Sequence, residues 1–263
     1  MSVDIVDHTS LAQPIQDQGQ CGSCTAFGLT GVIEARYFQK YSKQIKLSEK
    51  DLFFCSGGKC NDGNTMEAPL NYAQNNGIAT EECCPYGNAA SGTNSSCGDG
   101  RCGEWWVDGV KIASWQQLTT QAERDVAMRE GPIFIAMAVY QSFMNYAGGI
   151  YHPLGDFDPI IGYHAVGCFG KNFTEGWIEV RNSWGVEWGE QSLSNKYGEE
   201  GWFRAVDEPT IFCEYYRVEI NGPIPEPEPQ PSPCQRGNAV AKIMNFIPWI
   251  LGRRGRFYYL NRR

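Results

Sequence analysis

The stretch Gln18-Gly19-Gln20-Cys21-Gly22-Ser23-Cys24 is the most informative part of this chain. A helical pattern follows it at once, with apolar Leu29, Val32, Ile33 and Phe38 at helical spacing. A cysteine in the first turn of a helix lies at the positive end of the helix dipole, which lowers its pKa and favours the thiolate. Free backbone N–H groups at that end are suited to hold an oxyanion. The stretch therefore predicts a helix that begins with a reactive thiol, and the alternative is a redox or structural Cys-x-x-Cys pair.

A thiol of this kind needs a base, and the three histidines of the chain are His8, His152 and His164. His164 lies in the apolar run 161–167, which predicts a buried strand, where a histidine is more often a core residue than a catalyst. Asn182 follows a second β-rich run. Its amide oxygen would accept a hydrogen bond from one imidazole nitrogen and leave the other for a thiol, with Trp184 shielding that bond from water.

These segments together resemble the papain family of cysteine peptidases. The family's nucleophile segment, Q-G-x-C-G-S-C-W-A-F, is similar to residues 18–27, and the histidine follows the cysteine by 140 residues, within the expected interval of about 130–150. The family's N-S-W-G segment appears at 182–185, and the stretches 47–49 and 60–63 also match. The resemblance covers roughly residues 3–222. It implies an α+β, two-domain fold with a helical left domain, an antiparallel β-barrel-like right domain and the active site in the cleft between them.

The same resemblance implies a domain organisation. The peptidase domain is expected over residues 1–222, with its left part at about 13–112 and its right part at about 113–222 together with the N-terminal arm. The sequence begins close to where mature papain-like domains begin, so we expect a mature domain without its inhibitory pro-segment, or a member that lacks one. No run of eighteen apolar residues is present, so no membrane-spanning helix is expected.

Site roles are carried over from the family one residue at a time. Cys24 matches the nucleophile, and His164 matches the general base and acid. Asn182 matches the residue that orients the imidazole, and Trp184 matches the indole that covers the histidine–asparagine bond. Gln18 matches the side-chain donor of the oxyanion hole, which the Cys24 backbone N–H completes.

The resemblance also predicts how substrate is bound. Gly63 matches the backbone that pairs with the substrate near the second residue before the cut. Ala136, Ala165 and Val218 are expected to line the pocket for that residue, and such small apolar walls favour Leu, Val or Phe. Asp62 stands where the family usually has a glycine. It either adds affinity for a basic group or caps a turn.

Thr25 is the plainest departure from the family, which usually has tryptophan after the nucleophile. A small hydroxyl cannot fill that space, so packing beside the nucleophile must differ. The reacting residue types are all present, and the function expected is that of a cysteine-type endopeptidase acting through a thiolate–imidazolium pair and an acyl-enzyme intermediate. The loop 83–102 has no histidine, unlike the insertion with which cathepsin B trims C-termini. The alternatives are a papain-like transpeptidase or ligase and a non-catalytic papain-fold binding protein.

The chain has eleven cysteines, and removing the nucleophile leaves ten, enough for five disulfides. This parity is typical of a free catalytic thiol in an oxidising compartment. We therefore expect an extracellular protein or one from a lysosome- or vacuole-like compartment. A zinc site is a weaker alternative because no second Cys-x-x-Cys pair exists, and no metal or cofactor is expected.

By the family resemblance, Cys21 pairs with Cys60 and Cys55 pairs with Cys97. Cys213 matches a family disulfide position whose usual partner is absent, and Cys168 is then the nearest candidate. The segment from Cys83 to Cys102 is rich in Gly, Ser and Asn and is expected to be a bridged surface loop. The sequence does not fix the connectivity of Cys83, Cys84, Cys102, Cys168, Cys213 and Cys234.

The C-terminal part departs from the family altogether. Residues 223–233 alternate proline with polar residues, which predicts an extended spacer of about 34 Å. Residues 234–263 form a basic amphipathic tail of net charge +7, which leaves −15 on residues 1–233. The tail docks on the acidic body, binds an anionic membrane or polymer surface, or is a disordered regulatory segment. We expect a monomer that acts on protein or peptide substrates and does not bind nucleic acid.

Overall fold

A computed structural model describes residues 3–192, 194 and 197–223 of the chain. The expected basic tail, 234–263, and all but the first residue of the expected spacer, 223–233, lie outside these residues.

Four α-helices and eight β-strands make up the described part of the chain. The helices are α1 (Cys24–Tyr41), α2 (Glu49–Cys55), α3 (Glu67–Asn75) and α4 (Gln121–Glu130). The strands are β1 (Ile5–Asp7), β2 (Val110–Gln117), β3 (Ile133–Tyr140), β4 (Ile150–Tyr151), β5 (Ile160–Asn172), β6 (Trp177–Arg181), β7 (Trp202–Val206) and β8 (Phe212–Pro223).

All eight strands belong to one sheet, in the order β2-β8-β3-β5-β6-β7-β4, with β1 added against β5. The pairs are antiparallel except β4 with β7, which is parallel over two residues. Strand β3 lies between β5 and β8, so Ala136 faces Ala165 on one side and Glu214 on the other. The next β3 residue pairs with Phe212, so Cys213 is an extra residue that bulges from the ladder.

The long helix α1 brings the Cys-x-x-Cys segment against the sheet. Leu29, Val32 and Ile33 of its predicted apolar side are fully buried, whereas Phe38 is only partly buried. The helix ends where Ser42 takes a left-handed conformation at φ 54°. A Cβ at Gly28 would lie 2.9 Å from the Phe134 ring and 3.0 Å from the Val166 backbone. Glycine is therefore required where α1 crosses β3 and β5, and this close approach places the start of α1 beside strand β5.

The residues that the structure describes form two hydrophobic cores. The first is built mainly by the helices and includes Leu29, Ile33, Leu52, Phe53 and Leu70. The second lies under the sheet and includes Ile135, Met137, Val166, Phe203 and Phe212. The expected α+β, two-part papain-like fold is confirmed, with a helical part and a mostly antiparallel sheet, while the domain boundaries stay a prediction.

Among the described residues, three disulfides are present, Cys21–Cys60, Cys55–Cys97 and Cys83–Cys102. The first two are the pairs implied by the resemblance, and the third closes the loop that the composition indicated. In the described part of the chain, the free cysteines are Cys24, Cys84, Cys168 and Cys213.

The candidate pair Cys168–Cys213 was therefore wrong, and the sheet explains why. Cys168 is on β5 opposite Ile133, whereas Cys213 is on β8 near Ala136, on the other side of β3. Two strand spacings separate them by about 10 Å even before their offset along the strands is added. A disulfide needs Cα atoms within about 7 Å.

No helix in the described part of the chain combines the length and the apolar character that a membrane crossing requires.

Candidate active site

The proposed nucleophile, Cys24, is the first residue of α1 and is partly exposed. Tyr86 stabilises the turn that precedes Cys24. Its hydroxyl donates to the Gln18 carbonyl at 2.9 Å and contacts the Ser23 hydroxyl at 2.6 Å. The Cys21–Cys60 disulfide fixes the other side of the turn, and the Gly22 N–H donates to the Cys60 carbonyl at 2.8 Å. The backbone that carries the Cys24 thiol is therefore rigidly held.

Burial raises the pKa of the Cys24 thiol, and hydrogen bonds with the backbone of Ala165 and Thr25 lower it only in part. The expectation that the helix end alone would lower this pKa was wrong, because desolvation is the larger effect. Burial therefore disfavours the thiolate, and ionisation of Cys24 depends on a partner that accepts the proton.

The candidate for this partner is His164 on β5, which lines the same cavity as Cys24. The His164 ring is buried, and its Nε2 lies 2.8 Å from Asn182 Oδ1. With the Nε2 proton donated to this amide oxygen, Nδ1 is the nitrogen left to exchange a proton. Burial lowers the pKa of His164 to about 4, although the hydrogen bond with Asn182 raises it.

Trp184 covers the His164 ring, as predicted. The two rings stack with centroids 4.9 Å apart and planes inclined by 30°. Trp184 itself packs against Phe143 and Trp188 at centroid distances of 5.8 and 5.0 Å. The imidazole is therefore held at its edge by an amide and on its face by an aromatic cluster.

Gln18 is buried and links the nucleophile segment to the segment that follows β6. Its Nε2 donates to the Cys21 carbonyl at 2.9 Å, and its Oε1 accepts from the Ser183 hydroxyl at 2.7 Å. An amide nitrogen carries two donors, and one of them has no partner in the described part of the chain. That second N–H is available for a ligand.

The two predicted substrate-binding residues Gly63 and Asp62 lie in one turn, and both bond to Lys59. Gly63 pairs with Lys59, donating its N–H at 2.8 Å and accepting at its carbonyl at 3.2 Å. A substrate strand can share the Gly63 carbonyl, which has a second lone pair, but it must displace Lys59 to use the N–H. Asp62 is exposed and closes the same turn through its N–H, 3.0 Å from the Lys59 carbonyl.

A cavity of about 400 Å³ opens beside the thiol and the imidazole. Its lining residues come from α1, from the segment that leads into the start of α3, and from the three adjacent strands β3, β5 and β8. They are Cys24, Thr25, Asn64, Thr65, Met66, Glu67, Ala136, Tyr163, His164, Ala165, Cys213 and Glu214. Ala136 and Ala165 are on this wall, as predicted.

Val218 is not among the lining residues. It is buried in the helical core and pairs with Trp115 of β2, beyond the point where β8 leaves β3. Glu214 occupies the wall position instead, because it is the β8 residue that faces Ala136.

Sequence reasoning missed the polar groups of this cavity. Glu67, Cys213 and Glu214 line it, and the buried Thr25 hydroxyl has no hydrogen-bond partner among the described residues. The departure at Thr25 signalled altered packing, but no motif pointed to the acids, because α3 and β8 meet only in the folded chain. The other two histidines lie elsewhere: His8 contacts the Met128 carbonyl at 2.8 Å, and His152 is exposed.

No group of three or more potential metal ligands was found among the described residues.

Comparison with known proteins gives the wider context. A family model for papain family cysteine proteases matches residues 1–218. Cysteine proteinase 3 of Solanum lycopersicum is 35% identical over 192 residues, covering 68% of this chain and 51% of the relative. Thiol protease aleurain of Arabidopsis thaliana is 33% identical over 195 residues, covering 69% and 51%. The chain spans about half the length of these curated relatives.

Solved structures agree on the fold. The Carica candamarcensis cysteine protease CMS1MS2, in complex with E-64, has a TM-score of 0.66 at 24% identity, covering 83% of this chain and 99% of that chain. ProCathepsin B S9 from Trypanosoma congolense has a TM-score of 0.68 at 19% identity, covering 84% and 79%. At these identities the similarity concerns the fold.

Proposed function

From its membership of the papain family of cysteine proteases, which the family model over residues 1–218 establishes, we propose that this chain is a cysteine-type endopeptidase. The observation that carries the proposal is the 2.8 Å contact between His164 Nε2 and Asn182 Oδ1 beneath Trp184, beside the cavity that Cys24 and His164 line together. A thiol, an imidazole and an orienting amide in one cleft are what nucleophilic acyl transfer requires.

In the proposed reaction, the Cys24 sulfur attacks the peptide carbonyl carbon and His164 Nδ1 holds the thiol proton. The tetrahedral intermediate collapses as His164 gives that proton to the leaving amine, which leaves an acyl group on the sulfur. Water then attacks the acyl carbon, His164 accepts the proton of the water, and the proton returns to the sulfur as the acid product leaves.

The pKa shifts explain why the two groups must act as a pair. Burial disfavours a charge on either group alone, because it raises the pKa of Cys24 and lowers that of His164 to about 4. Passing the proton from sulfur to nitrogen creates both charges at once, so each stabilises the other in a low-dielectric site. The dipole of α1 adds to the stability of the thiolate.

The unused N–H of Gln18 and the backbone N–H of Cys24 are the proposed oxyanion donors. Gln18 is fixed at both ends of its amide, by Cys21 and by Ser183. A preorganised donor of this kind contributes about 3–4 kcal/mol to transition-state stabilisation in related hydrolases. The position of Gln18 between the nucleophile segment and the segment that follows β6 suits this role.

A thiol trap tests the proposal, with an epoxide or vinyl-sulfone reagent and mapping of the modified residue. The free thiol of Cys213 lines the same cavity, so Cys213→Ser is the matched variant. We expect modification at Cys24 in both proteins, and Cys24→Ala should abolish peptide hydrolysis while the fold is retained. Modification of Cys213 with Cys24 untouched, or residual hydrolysis by pure Cys24→Ala, would overturn the assignment.

The setting of this activity is also proposed. Three disulfides in one domain fit an oxidising compartment. We place the enzyme outside the cell or in a lysosome- or vacuole-like compartment, acting on protein or peptide substrates.

A further inference from the structure

Two segments of the chain carry the Asn-x-Ser/Thr pattern that N-linked glycosylation requires, where x is any residue except proline. They are Asn94-Ser95-Ser96, in the loop closed by Cys83–Cys102, and Asn172-Phe173-Thr174, at the end of β5. The pattern alone does not distinguish them, because such tripeptides are frequent by chance. The structure places the two asparagines in opposite environments.

Asn172 is buried, with 3% of its surface exposed. Its Oδ1 accepts from the Thr174 N–H at 2.9 Å and from the Glu175 N–H at 2.8 Å, in the turn between β5 and β6. The Thr174 hydroxyl accepts from the Asp4 N–H at 3.0 Å. A sugar on the Asn172 nitrogen would have to be buried among these groups, so a chain modified there could not reach this fold.

Asn94 is exposed, in a stretch that belongs to no helix or strand, and Ser96 is exposed as well. Asn94 Oδ1 accepts from the Cys60 N–H at 2.8 Å, whereas its Nδ2 has no hydrogen-bond partner among the described residues. The amide has two N–H groups besides its oxygen, and a sugar replaces only one of these hydrogens. The contact with Cys60 therefore persists when Asn94 is modified.

A polar cavity adjoins Asn94. Its volume is about 350 Å³, within the range of about 300–1,000 Å³ that is typical of small-molecule sites. Lys50 Nζ and Asp99 Oδ2 are 3.8 Å apart, too far for a hydrogen bond, so both can bond sugar hydroxyls. Pro85 and Ala89 supply an apolar surface. The polar residues in the wall, besides Asn94, are Lys50, Asn88, Thr93, Ser95 and Asp99.

We propose that Asn94 is the acceptor of an N-linked glycan and that the first sugar lies in this cavity. In the reaction, Asn94 Nδ2 forms a bond with the anomeric carbon of the sugar and loses one proton. The bond between that carbon and the phosphate of a lipid diphosphate donor breaks, and the lipid diphosphate leaves. The inference goes beyond the proposed peptidase activity and does not require it. It requires passage through a secretory route of the oxidising kind that the disulfides fit.

Secretion of the full chain from eukaryotic cells, behind a cleavable leader, tests the acceptor. Peptide-N-glycosidase in heavy-oxygen water converts each modified asparagine into an isotopically marked aspartate, and peptide mapping then locates the mark. We expect the mark at Asn94 and not at Asn172. Ser96→Ala should remove the glycan, whereas Thr174→Val, which destroys the other pattern, should leave it in place.

Absence of the mark from Asn94 in the folded, secreted chain overturns the inference, and so does a mark at Asn172. A glycan that persists in Ser96→Ala would do the same. Peptide hydrolysis by the same samples is measured separately, so failure of the proposed function and failure of this inference are distinguishable.

Stepwise removal of the glycan tests where the first sugar lies. An endoglycosidase that leaves one sugar on Asn94 should preserve the Tm of the secreted protein. Complete removal, which leaves an aspartate in place of Asn94, should lower the Tm by about 2–4 °C. Asn94→Asp has the same charge and never carries a glycan, so it is the matched control and should share the lower Tm. Equal Tm values for the one-sugar and sugar-free proteins would refute the placement of the sugar in the cavity.

Discussion

The contact between Asn182 and His164 gives the sharpest test of the catalytic proposal. Replacing Asn182 by alanine removes the amide oxygen that lies 2.8 Å from His164 Nε2 and leaves the ring free to turn about its bonds. The variant should fold, because the Asn182 amide nitrogen has no partner among the described residues and its oxygen otherwise accepts only the neighbouring Ser183 N–H.

The size of the effect follows from the charge on the imidazole. The ring is positive while it holds the thiol proton, and a hydrogen bond to a charged partner contributes about 1.5–3 kcal/mol. At about 1.4 kcal/mol for each factor of ten, kcat/KM should fall roughly 10- to 150-fold. Trp184 still stacks on the ring, so the loss should be smaller than that of Cys24→Ala.

The assay is kcat/KM of the full chain on a dipeptide substrate, corrected for active sites by titration with the thiol trap. The matched control is Asn71→Ala, an exposed residue of α3 that loses the same side chain away from the cleft. A folded Asn182→Ala protein with kcat/KM within twofold of wild type would refute the positioning role and, with it, the assignment of His164 as the base.

Three further outcomes concern stability. Replacing Cys21 and Cys60 together by alanine opens a bridge that spans 39 residues, so the free energy of unfolding in urea should fall by about 4 kcal/mol; a change below about 1 kcal/mol would contradict this. Phe203 is fully buried in the core under the sheet, and Phe203→Ala should cost about 3–5 kcal/mol in the same measurement. Burial raises the pKa of Glu81 to about 7 from 4.5, so the stability that its neutral form contributes is complete below about pH 4.5 and is lost as the pH rises through about 7. Glu81→Gln should remove that decline, and an unchanged pH dependence of unfolding between pH 5 and 8 would show that Glu81 is not its source.

The parts of the site that the sequence could predict are those carried by short contiguous segments. The start of α1 is visible as Cys24 followed by a helical pattern, and His164 lies in an apolar run that forms β5. Asn182 directly follows β6. Each of these three residues was recognisable from its local sequence, and the family resemblance supplied the expected spacing between them along the chain.

The pocket could not be predicted because it depends on strand register. A single bulged residue, Cys213, determines that Glu214 faces Ala136 and that Val218 lies further along, against β2. Glu67 reaches the same cavity from α3, about 150 residues earlier in the chain. The pKa of Cys24 was misjudged for a similar reason, since its burial depends on how closely α1 packs on the sheet.

The bulge at Cys213 has a consequence for how this protein can diverge. The side chains of a strand alternate between faces, so removing one bulged residue would reverse the facing of the β8 segment beyond it. The thiol and the imidazole are on α1 and β5 and would keep their places. A one-codon deletion in β8 would therefore change which β8 side chains line the cavity, while Cys24 and His164 stay in place.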